Sequence, residues 1–211
     1  FPYTTLFRSV LGTQMQSVGE AMSIGRTFTE SLQKGLRSLE QGRLGLGCDP
    51  GEALLADRSD DDLLEQVAVA TPERIFQVGE LLRRGVSIER VHESCRIDPW
   101  FLDQMQQIME ERAALAALQQ DGSAVPTLSR RQWRRAKQFG FSDAQLAFLW
   151  GVDELEVRAA REAAGVHPTF KTVDTCAAEF AALTPYHYSS WEDENEVRPS
   201  DRPRVVILGS G

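Results

Sequence analysis

Cysteine is scarce in this sequence. The 211 residues carry three, Cys48, Cys95 and Cys176, an odd number spread widely along the chain. A disulfide framework calls for an even set in a small secreted chain, so free thiols in a reducing, cytoplasmic setting are expected. Histidine is equally sparse. Only His92 and Cys95 stand close enough to share a helix face, and His167 and His187 show no paired-ligand spacing, so no structural zinc is expected. No run of about 18 apolar residues occurs, so no membrane partner is expected. Acid outweighs base, 31 Asp and Glu against 23 Lys and Arg, for a net charge of −8. That balance argues against a protein that binds nucleic acid with its whole surface.

The rest of the composition, 42% hydrophobic and 26% charged, is that of a folded globular chain. Its length suits one large or two small domains. The two ends stand apart from the interior. Phe1 to Ser9 (FPYTTLFRS) is aromatic and Thr-rich, without capping signals or continuing periodicity. It resembles translated sequencing-adapter read-through and is treated as an artefactual tail. At the other end, Arg204 to Gly211 is a β-branched apolar run followed by Gly-Ser-Gly. A nucleotide-binding βαβ unit begins this way, with a helix after the glycines. The run stops before such a helix, and the expectation is a fragment of something longer.

Helical periodicity dominates the interior. Ala21, Ile24, Phe28, Leu32, Leu36 and Leu39 recur at spacings of three and four, which predicts an apolar stripe on one helix. Thr27 is the expected N-cap, with Glu30 as its capping-box partner. Just upstream, Glu20 lies in a Gly-containing loop, where its carboxylate either meets a ligand or is simply solvated. Residues 42–60, punctuated by Gly42, Gly45, Gly47, Pro50 and Gly51, read as a linker; no Lys-Ser/Thr follows, so they are not a P-loop. Further helices are predicted from Asp60, which opens an acidic first turn; from Thr71-Pro72 as N-cap and first position; from Ser87; and from Asp98-Pro99.

Between 127 and 165 one pattern suggests a different function. A basic helix, Arg130 to Lys137, precedes two short helices starting at Ser142 and Val152, an order similar to a helix-turn-helix DNA reader. The third helix would enter the groove, yet it carries Asp153, Glu154 and Glu156, which phosphates repel. Nucleic-acid binding is therefore the alternative, not the main reading. Beyond Gly165, residues 167–173 and 185–188 read as extended, and an acidic stretch runs from Trp191 to Glu196. Asp174, Cys176 and a histidine make a conceivable triad, but no cation beside Cys176 activates it.

Longer motifs carry a resemblance. Gln14 to Phe28, followed by Ser31-Leu-Gln-Lys34, resembles the large subunit of the carbamoyl-phosphate synthetase family, at the close of its first ATP-grasp unit. Ile97-Asp98-x-Trp100-Phe101-Leu102, Lys171-x-Val-Asp-Thr-Cys-Ala-Ala-Glu-Phe180, Tyr186-x-Tyr188-Ser189 and Val206-x-Leu208-Gly-x-Gly211 follow in the family's order. The likeness covers about residues 10–211, frays at Val10-Leu11-Gly12, and has Gln16 where the family commonly has Lys.

The resemblance implies a mostly α fold, a helical oligomerisation domain flanked by truncated α/β pieces. It places residues 10–42 at the end of the first ATP-grasp (carboxyphosphate) unit, 43–196 in the oligomerisation domain, and 197–211 at the first strand of the second (carbamoyl-phosphate) half. The implied parent is an ATP-dependent ligase, with ATP and Mg or Mn as cofactors. It makes carbamoyl phosphate from bicarbonate and glutamine-derived ammonia for arginine and pyrimidine synthesis. The implied partners are a glutaminase small subunit and other large subunits. This stretch is expected to bind no cofactor and to be inactive alone, bridging the halves. Glu20 matches a position lining the tunnel that carries carbamate between sites.

Overall fold

The structure is a computed structural model, and it describes residues 21–119, 124–180, 186–197, 201, 203 and 205. Glu20 and the terminal run 206–211 lie outside the described residues. The chain divides into two compact units, Phe1–His167 and Pro168–Gly211.

The described part of the first unit is all helix and loop. Its helices are α1 (Phe28–Ser38), a 3-10 turn (Pro50–Leu54), α2 (Asp60–Val67), α3 (Arg74–Arg83), α4 (Ile88–Cys95), α5 (Pro99–Ala116), α6 (Arg130–Gln138), α7 (Asp143–Trp150) and α8 (Glu154–Ala163). Most begin where a short polar side chain can hold a free backbone N–H. Ser59, Ser87, Asp98 and Asp153 each accept a bond from the first turn of α2, α4, α5 and α8. Ser129 with Gln132 and Ser142 with Gln145 form reciprocal capping boxes at α6 and α7.

Two starts differ from the sequence reading. Thr27 accepts the Glu30 N–H as expected, but the Glu30 carboxylate reaches back to the Arg26 N–H, one residue further out. Helix α3 begins at Arg74, three residues past the expected cap. A turn closed from the Arg74 N–H to the Thr71 carbonyl intervenes, and Glu73 caps without a side-chain bond.

Helices α2 to α5 pack on one another, α1 lies on α5 and α6, and α7 pairs with α8. Leu63, Val67, Val78, Leu81, Val91 and Leu102 are fully buried between them. A second cluster forms where α5 ends. Trp133 of α6 and Trp150 of α7 meet edge to face, ring centres 5.7 Å apart. The Trp150 indole N–H donates to the Leu115 carbonyl at 3.0 Å, tying α7 to the end of α5.

Residues 42–60 are not a linker. Gly45, Leu46, Gly47, Cys48 and Asp49 are buried, so the segment threads the core before the 3-10 turn. Pattern alone misplaced it because its polar backbone is satisfied by side chains distant in sequence, which hydropathy does not register.

The second unit holds an antiparallel hairpin of β1 (Thr169–Val173) and β2 (Tyr186–Ser190), with Thr169 opposite Ser190 and Val173 opposite Tyr186. The acidic stretch returns along the outer edge of β1. Asn195 Oδ1 accepts from the Phe170 N–H, Glu196 Oε2 from the Thr172 N–H, and Lys171 Nζ lies 3.1 Å from Glu196. An edge strand so covered is closed to pairing with another chain.

The core and the surface predict different sensitivities. Leu102→Ala removes a fully buried side chain and should cost about 2–5 kcal/mol in urea unfolding. Asp61→Ala removes an exposed partner of Arg90 and should cost under about 1 kcal/mol.

Candidate functional site: a buried polar junction

The face that α1 buries is polar. Thr29, Glu30, Gln33 and Leu36 are buried, while Ala21 and Leu39 of the expected apolar stripe are exposed. The reason lies opposite α1, where the buried loop and the α6–α7 turn present carbonyls and N–H groups in place of a hydrophobic surface.

Gln33 answers three of these groups. Its amide nitrogen donates to the Phe139 carbonyl at 3.1 Å, and its oxygen accepts from the Leu46 N–H and from Gln145 Nε2. Gln145, on α7, spends all four of its hydrogen-bonding positions. Its nitrogen donates to Gln33 at 2.8 Å and to the Gly47 carbonyl at 2.9 Å. Its oxygen accepts from Arg37 Nη1 at 3.1 Å and the Ser142 N–H at 2.9 Å. Arg37 also donates to the carbonyls of Gly140 and Leu44. Burial pulls its pKa down to about 10, with the Glu30 charge opposing, so it remains cationic at neutral pH.

Two glycines let the backbones come this close. A Cβ on Gly140 would stand 2.9 Å from Gln33 Cβ and 3.1 Å from Glu30 Cα, and its φ of +88° already disfavours any other residue. A Cβ on Gly45 would collide with the Gln33 and Gln145 amides.

The buried loop is held at its other end by carboxylates. Asp49 is fully buried; it accepts from Arg43, the Leu44 N–H and the Gly51 N–H. Arg43 in turn lies 3.8 Å above the Phe76 ring. Glu52 accepts from the Cys48 N–H and pairs with Arg112 of α5. Burial pushes the Cys48 thiol up to about 12, against the nearby Arg112 charge, so it is an inert, packed group. Outside the loop lies an open groove of about 550 Å³ along Leu54, Leu55, Val69 and Phe76, with Arg43 and Arg58 on its walls.

A second buried charge cluster joins the last three helices. Asp143 of α7 pairs with Lys137 of α6 at 2.8 Å and with Arg161 of α8 at 2.9 Å. Burial by itself raises the Asp143 carboxyl, but the Arg161 hydrogen bonds and the Lys137 charge outweigh it and hold it below the usual carboxylate range. Burial pulls Lys137 down to about 8, only partly opposed by Asp143.

The other residues singled out in the sequence fall as follows. Glu20 lies outside the described residues. Asp174 spends its carboxylate on the N–H groups of Cys176 and Ala178, and His187 Nδ1 lies 3.2 Å from the Thr172 hydroxyl; these contacts do not assemble a triad. His92 meets the Ile97 carbonyl, and Cys95 Sγ accepts from the Ile97 N–H, so both serve the turn after α4. The basic row of α6 is partly spent, with Arg135 paired to Glu111 and Lys137 buried, whereas Asp153, Glu154 and Glu156 of α8 face solvent. Among the described residues no group of three His, Cys, Asp or Glu could hold a metal, and no helix is long and apolar enough to cross a membrane.

The geometry defines a helical module organised around a buried polar joint. The family model for the carbamoyl-phosphate synthetase large chain, oligomerisation domain, matches residues 20–165. The carbamoyl phosphate synthase large chain of Nostoc sp. is 51% identical over 202 residues, 96% of this chain. Those of Thermus thermophilus and Archaeoglobus fulgidus are 49% identical over 95% and 43% identical over 96% of it. The chain spans 18% of the length of each of these relatives. It belongs to the carbamoyl-phosphate synthetase large-chain family, as a member of its oligomerisation domain.

Two tests probe the joint. Gln145→Met leaves Arg37, the Ser142 N–H and the Gly47 carbonyl short of a partner, and should cost about 3 kcal/mol. The Gln33→Met/Gln145→Met double variant should cost at least about 1 kcal/mol less than the sum of the singles, since the two amides serve each other; strict additivity would refute the shared joint. The second test uses pH. Above its folded pKa of about 8, Lys137 is mostly neutral in the folded chain, while the unfolded chain keeps the proton up to the model value of 10.5. Stability from this group therefore rises with pH from about 8. Cys48 acts oppositely from pH 9, where the unfolded thiol ionises and the folded one, at about 12, does not. Chemical unfolding should show stability rising from about pH 8 towards 9, and Lys137→Met should flatten that rise.

Proposed function

We propose that this chain is the connecting module of a carbamoyl-phosphate synthetase large subunit. In this reading residues 10–42 close the first ATP-grasp unit, 43–196 form the oligomerisation domain, and 197–211 open the second half. The whole protein is the ligase. It makes carbamoyl phosphate from bicarbonate, glutamine-derived ammonia and ATP in the cytoplasm, for arginine and pyrimidine synthesis. A glutaminase small subunit supplies the ammonia, and ATP with Mg or Mn binds elsewhere in the large subunit. The module bridges the halves, associates with other large subunits and has no activity alone. One observation carries the reading most: identity near 50% runs through almost the whole chain, including the residues of the buried joint.

Within this reading Glu20 lines the tunnel that carries carbamate. A carboxylate there orders water and protons around a labile intermediate and disfavours its escape. The test replaces the matched segment of the Nostoc large chain with residues 10–211. The chimera should make carbamoyl phosphate, while the 211-residue chain makes none. Glu20→Gln in the chimera should lower carbamoyl phosphate formed per ATP hydrolysed, with bicarbonate-dependent ATP hydrolysis unchanged. An unaltered stoichiometry overturns the role of Glu20; an inactive chimera counts against the placement itself.

A further inference from the structure

Helix α5 begins by exposing two aromatic side chains. Asp98 caps it by accepting the Trp100 N–H, and Pro99 occupies its first position, so the start of the helix is fixed. Leu102 turns into the core and is fully buried, while Trp100 remains 53% and Phe101 42% exposed. Their only described ring partner outside the helix is Phe28, the first residue of α1. The three rings form one cluster, with centroids 5.5 Å apart for Phe28–Trp100, 5.3 Å for Phe28–Phe101 and 4.9 Å for Trp100–Phe101. Adjacent exposed aromatics held on a capped helix end form a ready contact surface.

The path of the chain indicates what covers that surface. Before α1 the backbone doubles back along the helix. The Ser23 hydroxyl donates to the Ser31 carbonyl, and Lys34 Nζ donates to the Ile24 carbonyl at 3.0 Å. Phe28 and Lys34 are six helical residues apart, or about 9 Å. Polypeptide leading into residue 21 is thus delivered beside α1, close to the ring cluster. The relatives are more than five times the length of the stretch they share with this chain, so a large folded body is available there.

We infer that the Phe28–Trp100–Phe101 cluster is the docking face for the synthetase half that precedes this module in the full-length large chain. The inference rests on the proposed placement of residues 10–42 at the end of that half. Phe28 belongs to the segment that closes the half, and Trp100 and Phe101 to the helical body, so a surface seated on all three clamps one against the other. With the buried Gln33–Gln145 joint on another side of α1, the helix is held from two directions.

The experiment uses the Nostoc large chain carrying residues 21–165 of this protein in place of its own. Trp100→Cys and, separately, Phe101→Cys are introduced there and in the 211-residue chain, and maleimide labelling of each new thiol is followed by peptide mass spectrometry. Labelling should be at least about tenfold slower in the full-length chimera than in the short chain, as for a site opened only by local undocking. Equal rates in the two, for both variants, overturn the docking while a chimera that still makes carbamoyl phosphate leaves the proposed function standing. Protection in the short chain that grows with its concentration assigns the face to a second copy and overturns it as well. A chimera that makes no carbamoyl phosphate before any cysteine is introduced removes the placement on which the inference rests.

Discussion

Two glutamines 112 residues apart in sequence, Gln33 and Gln145, exchange a 2.8 Å hydrogen bond at the centre of the helical unit, and much of the fold is arranged to permit it. Each amide also holds backbone that no helix or strand satisfies: Phe139 and Leu46 for Gln33, Gly47 and Ser142 for Gln145. A buried amide with an empty position costs more than a completed one returns, so such a network is strong only when whole. That requirement explains the glycines at 45 and 140, where any side chain would separate the partners. It explains why residues 44–49 can be buried at all without secondary structure of their own.

The ionised groups obey the same constraint. Asp49, Glu80 and Glu111 are almost fully buried, and each has an arginine on it: Arg43, Arg83 with Arg84, and Arg135. Asp143 holds two cations at once. Buried charges gain little over an apolar replacement but are costly to leave alone, so their contribution is to fix which helices meet and at what height. The net −8 is consequently a property of the outside, including the exposed first turns of α2 and α8.

Local chemistry was legible in the sequence, and long-range chemistry was not. The caps at Ser59, Ser87, Asp98, Ser129 and Ser142 could be inferred because cap and first turn lie within three residues. The extended segments that became β1 and β2 showed themselves by their β-branched and aromatic residues. The buried face of α1 was misread because a glutamine on a helix looks solvent-facing until its partner, more than a hundred residues away, is known. Arg96 was hidden for another reason: it ends α4 in the left-handed region with φ 59°, where glycine would have signalled the stop. The family resemblance identified the module, but no local spacing pointed to Gln33, Arg37 or Gln145, the residues on which its joint turns.

A polar joint also differs from an apolar one in what it fixes. Leucine ridges can slide by a turn and still bury similar area, whereas the bonds at Gln33 and Gln145 exist only within a few tenths of an ångström of one alignment. Arg37 tightens the alignment further, because one guanidinium nitrogen must face the carbonyls of Gly140 and Leu44 and the Gln145 oxygen together. The gain in net stability is modest for so many bonds, since water would have satisfied the same groups in the unfolded chain. The gain in definition is large. A module whose proposed task is to hold two catalytic halves at a set separation needs definition more than stability. Against that need, a complete hydrogen-bond network at the root of α1 is the better physical solution than a larger hydrophobic core.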